Sequence, residues 1–350
     1  MKSKFPTDKY FRQCIGIDVS KNKFTACMCM LSWGCPAQCT GAIDFSNDKT
    51  GFNQLVKWAR KEAEKSHPIL FLMEPTGTYY EELAYHLHKL SFTVYVIPTN
   101  RVHAFFKEEG IKTKTDSMDA YGLALMGSSK PHLKEWNPPC PTYMTIRQLT
   151  RLEVQFKDIR TKLYNQKEAL SHRYSPSPEA VRQINALIRS VDLRINKTNE
   201  SIESLVANTP EIKEKLGYIQ SIKGLGFLGA ITILAETSGF ANISSRKQLA
   251  SFAGLDVVAK DSGKSTPARH ISKVGNTHLR RMVYMCSLSA AVYNPQMRAL
   301  YSRISQHSPS KVARVAVMRK LLLLAYTLCK TKNMYCLLYT SPSPRDRTRS

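Results

Sequence analysis

The sequence predicts three consecutive folded regions: an α/β domain, an antiparallel coiled-coil hairpin and a mostly α-helical domain. Short apolar runs alternate with amphipathic helical patterns over residues 11–130, which is typical of an α/β domain. Apolar residues at heptad spacing follow over 142–215, and helical patterns continue over 216–335. With 43% hydrophobic residues among 350, the chain has enough apolar material for more than one core.

The α/β region divides into seven elements. Residues 14–19 and 23–30 form apolar or alternating runs, and 41–45 can pair with the second of them, so we expect a three-stranded meander. The pattern then continues with a helix, a strand, a helix and a strand over 50–63, 69–73, 80–90 and 93–97.

Prolines separate the first region from a pair of long helices. Four prolines between residues 131 and 141 indicate a linker, and heptad spacing predicts helices over 149–170 and 181–205. Pro176 and Pro178 prevent one continuous helix, so the two helices should fold back on each other. Two interpretations stay open: a hairpin confined to one chain, or an arm that joins a homo-oligomer, a dimer or a tetramer.

The third region opens with a glycine-containing turn. Residues 221–230 read SIKGLGFLGA, which resembles a helix-hairpin-helix element. In such an element the backbone at Lys223, Gly224 and Gly226 would approach a phosphate near a helix N-terminus. The alternative is that these glycines simply allow a tight turn between two packed helices.

Positive charge indicates a polyanionic partner. The chain has 51 Lys and Arg against 27 Asp and Glu, a net charge of +24. Residues 216–335 hold 17 of these bases and only three acids, so nucleic acid is expected to bind there. No apolar run of 18 residues and no apolar leader is present, so we expect no membrane partner and a cytoplasmic, nucleoid-associated protein.

Two smaller features affect the interpretation. Cys27, Cys29, Cys35 and Cys39 do not have a standard zinc spacing, and reduced structural thiols are therefore favoured over a zinc site. Residues 336–346 read CLLYTSPSPRD, which matches the translation of a DNA string that resembles a sequencing adaptor. An ordinary Ser/Pro-rich tail is the alternative. We treat 336–350 as an adaptor artefact and exclude it from fold reasoning.

Four acids in the first region predict a metal site. Asp18 and Glu74 end apolar strands, while Asp116 and Asp119 lie three residues apart at the start of a helical pattern. Carboxylates packed together repel each other, and Mg²⁺ would stabilise them because it prefers oxygen ligands. Two such ions can assist phosphoryl transfer. The alternative for Asp116 is a helix N-cap.

These acids lie in recognisable sequence words. GIDVSKNKF, MEPTGTYYEELAYHL and VIPTNRVHAF, followed by KTDSMDAYGLA, resemble the DEDD domain of the IS110 family of insertion-sequence transposases. The third region resembles the C-terminal transposase domain of that family, through its G-x-G hairpin, its QLASFAGL helix, a Ser-Gly pair and the run ISKVGNTHLRR. Relatives include the pilin-gene (Piv) invertases. The resemblance covers most of residues 11–325.

The resemblance implies a fold, a cofactor and partners. It implies a RuvC-like RNase H fold for 11–130, with Mg²⁺ held by Asp18, Glu74, Asp116 and Asp119. It also implies a recombinase guided by a bridge RNA that pairs with donor and target DNA, and a serine nucleophile in the C-terminal domain. The family's Ser-Gly pair aligns with Ser262–Gly263, while Ser265 and Ser272 stay rivals.

Basic residues around this serine are candidates for binding phosphate or RNA, and they are Lys264, Arg269, Lys273, Arg280 and Arg281. Their alternative is a solvated helix face. Two other functions stay open: a Piv-type invertase, and a RuvC-like junction nuclease in which metal-activated water replaces the serine. A non-enzymatic nucleic-acid-binding protein is disfavoured because all four acids are present. The active site is expected to be composite, with residues from both domains, and two interpretations stay open: a site within one protomer, or a site shared between protomers.

Overall fold

A computed structural model describes residues 11–32, 34–258 and 270–335. The chain divides into two compact units, Met1–Pro138 and Pro139–Ser350. Of the predicted site residues, Ser262, Lys264 and Arg269 lie outside the described residues, as do the rival Ser265 and the tail 336–350.

The first unit is an α/β structure around a mixed sheet, as predicted. The elements are β1 Arg12–Val19, β2 Lys23–Leu31, β3 Gln38–Cys39, β4 Ile43–Ser46, α1 Lys49–Glu62, β5 Ile69–Met73, α2 Glu81–Lys89, β6 Thr93–Val96, α3 Thr99–Glu108 and α4 Asp116–Ser129. Strand β1 lies at the centre, where it pairs antiparallel with β2 and parallel with β5, and the sheet order is β3-β2-β1-β5-β6 with β4 also on β2.

Helix α4 packs closely across β1 because Gly16 has no side chain. A Cβ at Gly16 would lie 2.1 Å from the backbone nitrogen of Ala124 and 2.2 Å from the carbonyl oxygen of Ala120. The helix contributes small buried residues at this contact, and Ala120 and Ala124 also pack against Cys27 and Cys29 of β2. Close packing therefore sets the position of the N-terminal end of α4 relative to the sheet.

The expectation of reduced thiols is wrong for two of the four clustered cysteines. Cys29 and Cys39 form a disulfide, because they are direct partners in the antiparallel register of β2 and β3. Cys27 and Cys35 are free. Within the ranges that the structure describes, no three or more Cys, His, Asp or Glu side chains lie close enough together, as placed, to hold a metal ion.

The second unit is mostly helical, as predicted, with one small hairpin that the sequence pattern did not indicate. Its elements are α5 Pro141–Ser171, α6 Pro178–Ala207, α7 Pro210–Gln220, α8 Phe227–Glu236, α9 Arg246–Phe252, β7 Val257–Val258, β8 His270–Ile271, α10 Thr277–Tyr293, α11 Pro295–Ser305 and α12 Ser310–Thr331. Residues 229–236 of α8 are all buried, so this helix forms the centre of the unit's core.

Helices α5 and α6 pack along each other after a connection of six residues, 172–177. Arg160 of α5 and Asp192 of α6 form an ion pair at 3.1 Å between the two helices. Ile195 is buried at 5% exposure, whereas Ile159 stays 45% exposed. Of these two heptad positions, the one in α6 is therefore much better buried than the one in α5.

No described helix is long and apolar enough to cross a membrane.

We predict that Gly16→Ala destabilises the protein by about 3 kcal/mol, because the added methyl group must push α4 away from β1. Urea unfolding monitored by circular dichroism measures the change. Gly41→Ala is the matched control, since a Cβ there meets nothing within 4 Å, and it should change the free energy of unfolding by less than about 0.5 kcal/mol. Equal stability of the two variants would contradict the packing argument.

Candidate catalytic and nucleic-acid site

Two of the predicted acids meet at the carboxyl ends of adjacent parallel strands. Ile17 of β1 is in register with Met73 of β5, so Asp18 and Glu74 each lie one residue further along. Ile17 and Met73 are fully buried, and their pairing places both carboxylates at the same edge of the sheet. Both acids are half-buried.

The other two acids enter from the first turn of α4. Thr115 is the N-cap of this helix, and its side chain accepts a hydrogen bond from the backbone nitrogen of Met118. The alternative that Asp116 acts as the N-cap is therefore wrong. Asp116 and Asp119 lie in the first turn, where carboxylates interact favourably with the helix dipole.

A cavity of about 340 Å³ joins three of the acids with several bases. Asp18, Glu74 and Asp119 line it together with His103, Lys107, Lys112 and Lys114. Asp116 does not line the cavity. It forms an ion pair at 3.3 Å with Lys23, which also contacts Asp44 at 2.9 Å.

The electrostatics show that the four acids act on one another. Burial raises the pKa of Asp18 to about 6, and the charges of Asp119, Asp116 and Glu74 contribute further, while Lys114 opposes them. Burial also raises the pKa of Asp119, with Asp116 adding to it. A cation among these groups would remove the repulsion, so the charges favour a bound divalent ion.

The donor set fits a divalent cation in its chemistry. All four side chains are carboxylates, the oxygen ligands that hard cations such as Mg²⁺ prefer. Their spacing is open, since the structure contains no ready group of three ligands among the described residues. Binding would therefore require these side chains to move together, which their mutual repulsion opposes until the ion is present.

In the second unit, the predicted phosphate-binding turn lies between α7 and α8. Gly224 has a φ of +102°, and a Cβ there would lie 2.5 Å from the Cα of Ala290, so packing against α10 explains this glycine. Gly226 is the N-cap residue of α8 and is exposed, as is Lys223. The turn thus has a packing role, and its exposed part is open to a ligand.

The structure places three further predicted bases in the first turn of α10 or just before it. Lys273 is exposed. Arg280 donates a hydrogen bond to the carbonyl oxygen of Ala253 at 3.0 Å, and Arg281 pairs with Asp158. The rival nucleophile Ser272 donates its hydroxyl hydrogen to Asp256. Both arginines therefore already have hydrogen-bond partners within the second unit.

Pattern analysis missed a buried polar group beside this segment. Glu236 is 3% exposed at the C-terminal end of α8, where it accepts hydrogen bonds from Arg151 and Asn276. The signal in the sequence is weak, since Glu236 is only a single acid after an otherwise apolar run. The three residues are far apart along the chain, and only folding brings them together.

Two protein-family models match this chain, one after the other along the sequence. A family model described as a transposase, of the DEDD type of IS110, matches residues 15–176. A second model, described as "Transposase IS116/IS110/IS902 family", matches residues 217–302.

Curated relatives extend along nearly the whole chain. The pilin gene-inverting protein of Moraxella bovis is 29% identical over 324 residues, which cover 90% of this chain and 95% of the relative. That of Moraxella lacunata is 28% identical with the same coverage. An insertion element IS110 protein of Streptomyces coelicolor, of 43.6 kDa, is 24% identical over 125 residues, or 36% of this chain and 30% of the relative.

Together with the acid cavity, these similarities define an enzyme that recombines DNA, of the transposase class. The chain belongs to the IS110 family of transposases and is related to the pilin gene-inverting proteins. DNA is therefore its substrate.

We predict that Asp18→Asn stabilises the metal-free protein at about pH 7.5. The raised pKa means that the native state binds a proton more tightly than the unfolded state does, so wild-type stability falls as pH rises from about 4 to about 6. Asn carries no charge and avoids this loss. After allowance for solvent screening of a half-exposed group, the variant should exceed wild type in free energy of unfolding by about 1 kcal/mol.

Thermal melts in the presence of a chelator measure this effect. The advantage of Asp18→Asn should shrink as pH is lowered to about 4, where the native carboxyl group is protonated. Asp48→Asn is a control from the same unit, since its pKa is lowered by the hydrogen bond from Gly51 and the change should destabilise at neutral pH. An Asp18→Asn variant no more stable than wild type at either pH would contradict the repulsion argument.

Proposed function

We propose that the protein is an RNA-guided DNA recombinase of an insertion sequence. In this proposal a bridge RNA pairs with donor and target DNA, Ser262 is the nucleophile, and Asp18, Glu74, Asp116 and Asp119 hold Mg²⁺. The observation that carries the proposal is the meeting of four carboxylates from β1, β5 and α4 beside a lysine-lined cavity. Such an arrangement suits a metal-assisted reaction at a phosphodiester.

The acid site and its lysines have separate roles in this proposal. When bound, Mg²⁺ would neutralise charge that develops on phosphate oxygens. Lys107, Lys112 and Lys114 line the same cavity and would attract the DNA backbone, which carries a negative charge at every phosphate. Lys23 would release Asp116 when the ion binds, because the two compete for the same carboxylate.

The covalent step conserves the phosphodiester bond. The oxygen of Ser262 attacks phosphorus, a DNA hydroxyl leaves with a proton, and a phosphoserine linkage holds the cut end. Attack by a hydroxyl of another DNA end reverses the step and releases the serine. No external energy source is needed, because one phosphodiester replaces another.

Further parts of the proposal concern architecture and assembly. The sheet, with antiparallel strands on one side of β1 and parallel strands on the other, supports a RuvC-like RNase H fold for residues 11–130. We also propose that α5 and α6, within 142–215, act as a coiled-coil hairpin that joins protomers in a dimer or tetramer. The exposed side chain of Ile159 supports this proposal. Residues 216–335 would then form the serine-bearing domain.

Nucleic-acid contacts are assigned to the basic residues of that domain. The proposed contacts are Lys223, Gly224, Gly226, Lys264, Arg269, Lys273, Arg280 and Arg281. Exposure of Lys223 and Lys273 supports direct contact with phosphate. The pairing of Arg281 with Asp158 means that this arginine would have to exchange partners on binding.

A Piv-type invertase is the second candidate function. The similarity to the Moraxella pilin gene-inverting proteins over 95% of their length favours it. An invertase exchanges two sites within one DNA molecule, whereas a transposase joins an element to a new target. Recombination on a plasmid that carries the element's two ends distinguishes the two functions by their products, since only an inversion keeps all of the DNA in one circle.

We predict that Ser262→Ala abolishes the covalent protein–DNA adduct, because no other group would take its place in the phosphoserine linkage. Suicide DNA substrates that trap the adduct, resolved on denaturing gels, are the measurement. Ser265→Ala and Ser272→Ala are matched controls that should retain the adduct. Full recombination by Ser262→Ala would show that Ser262 is not the nucleophile.

We predict that Asp119→Asn lowers the strand-cleavage rate by about 100-fold or more at saturating DNA, because it removes a carboxylate needed to hold the ion. Its DNA affinity should change by less than about threefold. Asp44→Asn is the control, since Asp44 also pairs with Lys23 but does not line the cavity. Equal cleavage rates for the two variants would show that the acid site is not used.

A further inference from the structure

A buried hydrogen-bond network links three distant parts of the second unit. Glu236 at the end of α8 accepts from the Nε of Arg151 at 2.7 Å and from a terminal nitrogen of the same guanidinium at 2.8 Å. It also accepts from the Nδ2 of Asn276 at 2.7 Å. Both carboxylate oxygens are therefore used, and the geometry with Arg151 is bidentate.

The energetics favour a charged, fixed carboxylate. Burial alone would raise the pKa of Glu236, but the hydrogen bonds from Arg151 and Asn276 outweigh it and hold the pKa below the usual value. Loss of either partner would leave this buried charge less well compensated, even with Arg147 at 4.0 Å from it, and that is costly. The network therefore restricts the position of Asn276.

Asn276 transmits this restriction to the chain around it. Its Oδ1 accepts from the backbone nitrogen of Leu279 at 2.9 Å, so it is the N-cap of α10. Its own backbone nitrogen donates to the carbonyl oxygen of Phe252 at 2.7 Å. One side chain thus joins the start of α10, the end of α9 and the buried Glu236.

The same segment is hydrogen-bonded to the connection between α9 and β7 at further points. The backbone nitrogen of Lys273 donates to Gly254, and that of Ser272 donates to Asp256. Gly275 lies so close that a Cβ would be 2.5 Å from the carbonyl oxygen of Phe252. Residues 252–256 and 272–276 therefore form a closely packed base, from which strands β7 and β8 extend.

We propose that Glu236 is a positioning residue that, through Asn276, holds the base of the β7–β8 hairpin in place for catalysis. The inference rests on the proposed function, because Ser262 lies in the sequence between β7 and β8. Arg151 orients the carboxylate of Glu236, and the hydrogen bond from Asn276 to this carboxylate holds Asn276 in position. Neither Glu236 nor Asn276 needs to contact DNA for this role.

The test uses a reversal of hydrogen-bond polarity. Asn276→Asp keeps an oxygen that can cap α10 but replaces the donor to Glu236 with a like charge. In the double variant E236Q/N276D the glutamine amide can donate to the new carboxylate, so the contact is restored in the opposite direction. Asp192→Asn is the control, since it breaks another inter-helix carboxylate–arginine pair.

The first measurement is hydrogen exchange of the backbone amides of Lys273 and Asn276 in the full chain, without DNA. We expect faster exchange in Asn276→Asp, recovery in E236Q/N276D and no change in Asp192→Asn. The second is the single-turnover rate of adduct formation on duplex DNA spanning the element's ends, with RNA transcribed from the flanking non-coding DNA. We expect a fall of about 10–100-fold in Asn276→Asp, with substantial recovery in the double variant.

DNA affinity separates positioning from binding, and it should stay within about threefold in all variants. Wild-type exchange in Asn276→Asp, or no recovery in the double variant, would overturn the inference. If Asn276→Asp fails to fold, recovery of folding and of the adduct rate in E236Q/N276D still decides it. If Ser262→Ala forms the adduct, the proposed function fails instead, and exchange alone tests the role of Glu236.

Discussion

The packing of α4 against β1 is the contact on which the acid site depends. Gly16 allows the helix backbone to approach within the distance that a methyl group would occupy, and this brings the first turn of α4 over the ends of β1 and β5. Asp18 and Glu74 are held by strand pairing, and Asp116 and Asp119 by the helix. Repulsion among them is the electrostatic consequence, and it prepares the site for a cation.

The two units divide the charge in a way that suits a DNA recombinase. The first has an acidic cluster whose cavity is bordered by lysines, so that phosphate and a divalent ion could be held together. The second contains most of the excess of bases, yet several of its arginines are already paired with carboxylates or carbonyl groups. Net charge therefore explains attraction to nucleic acid better than it identifies individual contacts.

Within the second unit, the buried acid Glu236 connects the end of α8 to α5 and to the start of α10. Glu236 ends a helix whose residues 229–235 are buried and, apart from Thr232, apolar, so its charge is stabilised by the neighbours that folding brings to it. Arg151 comes from α5 and Asn276 from the start of α10. A charge that must be satisfied by two distant elements restricts both of them. Nearby, Arg280 donates to the carbonyl oxygen of Ala253 and Ser272 donates to Asp256. These hydrogen bonds also join the segment before α10 and its first turn to the connection between α9 and β7.

The sequence by itself predicted most elements and singled out the four acids that interact in the first unit. Strand alternation, heptad spacing and proline positions are local patterns that involve only a few residues at a time. The strand over 69–73 therefore has its predicted bounds, and the two long helices end within three residues of their predicted bounds except at the start of α5. Only the tertiary structure decided which residues meet. It joined Cys29 to Cys39, gave the cap of α4 to Thr115, paired Asp116 with Lys23 and placed Asn276 on Glu236. These contacts depend on chain segments that lie far apart in sequence or on a specific register, and local patterns hold no information about either.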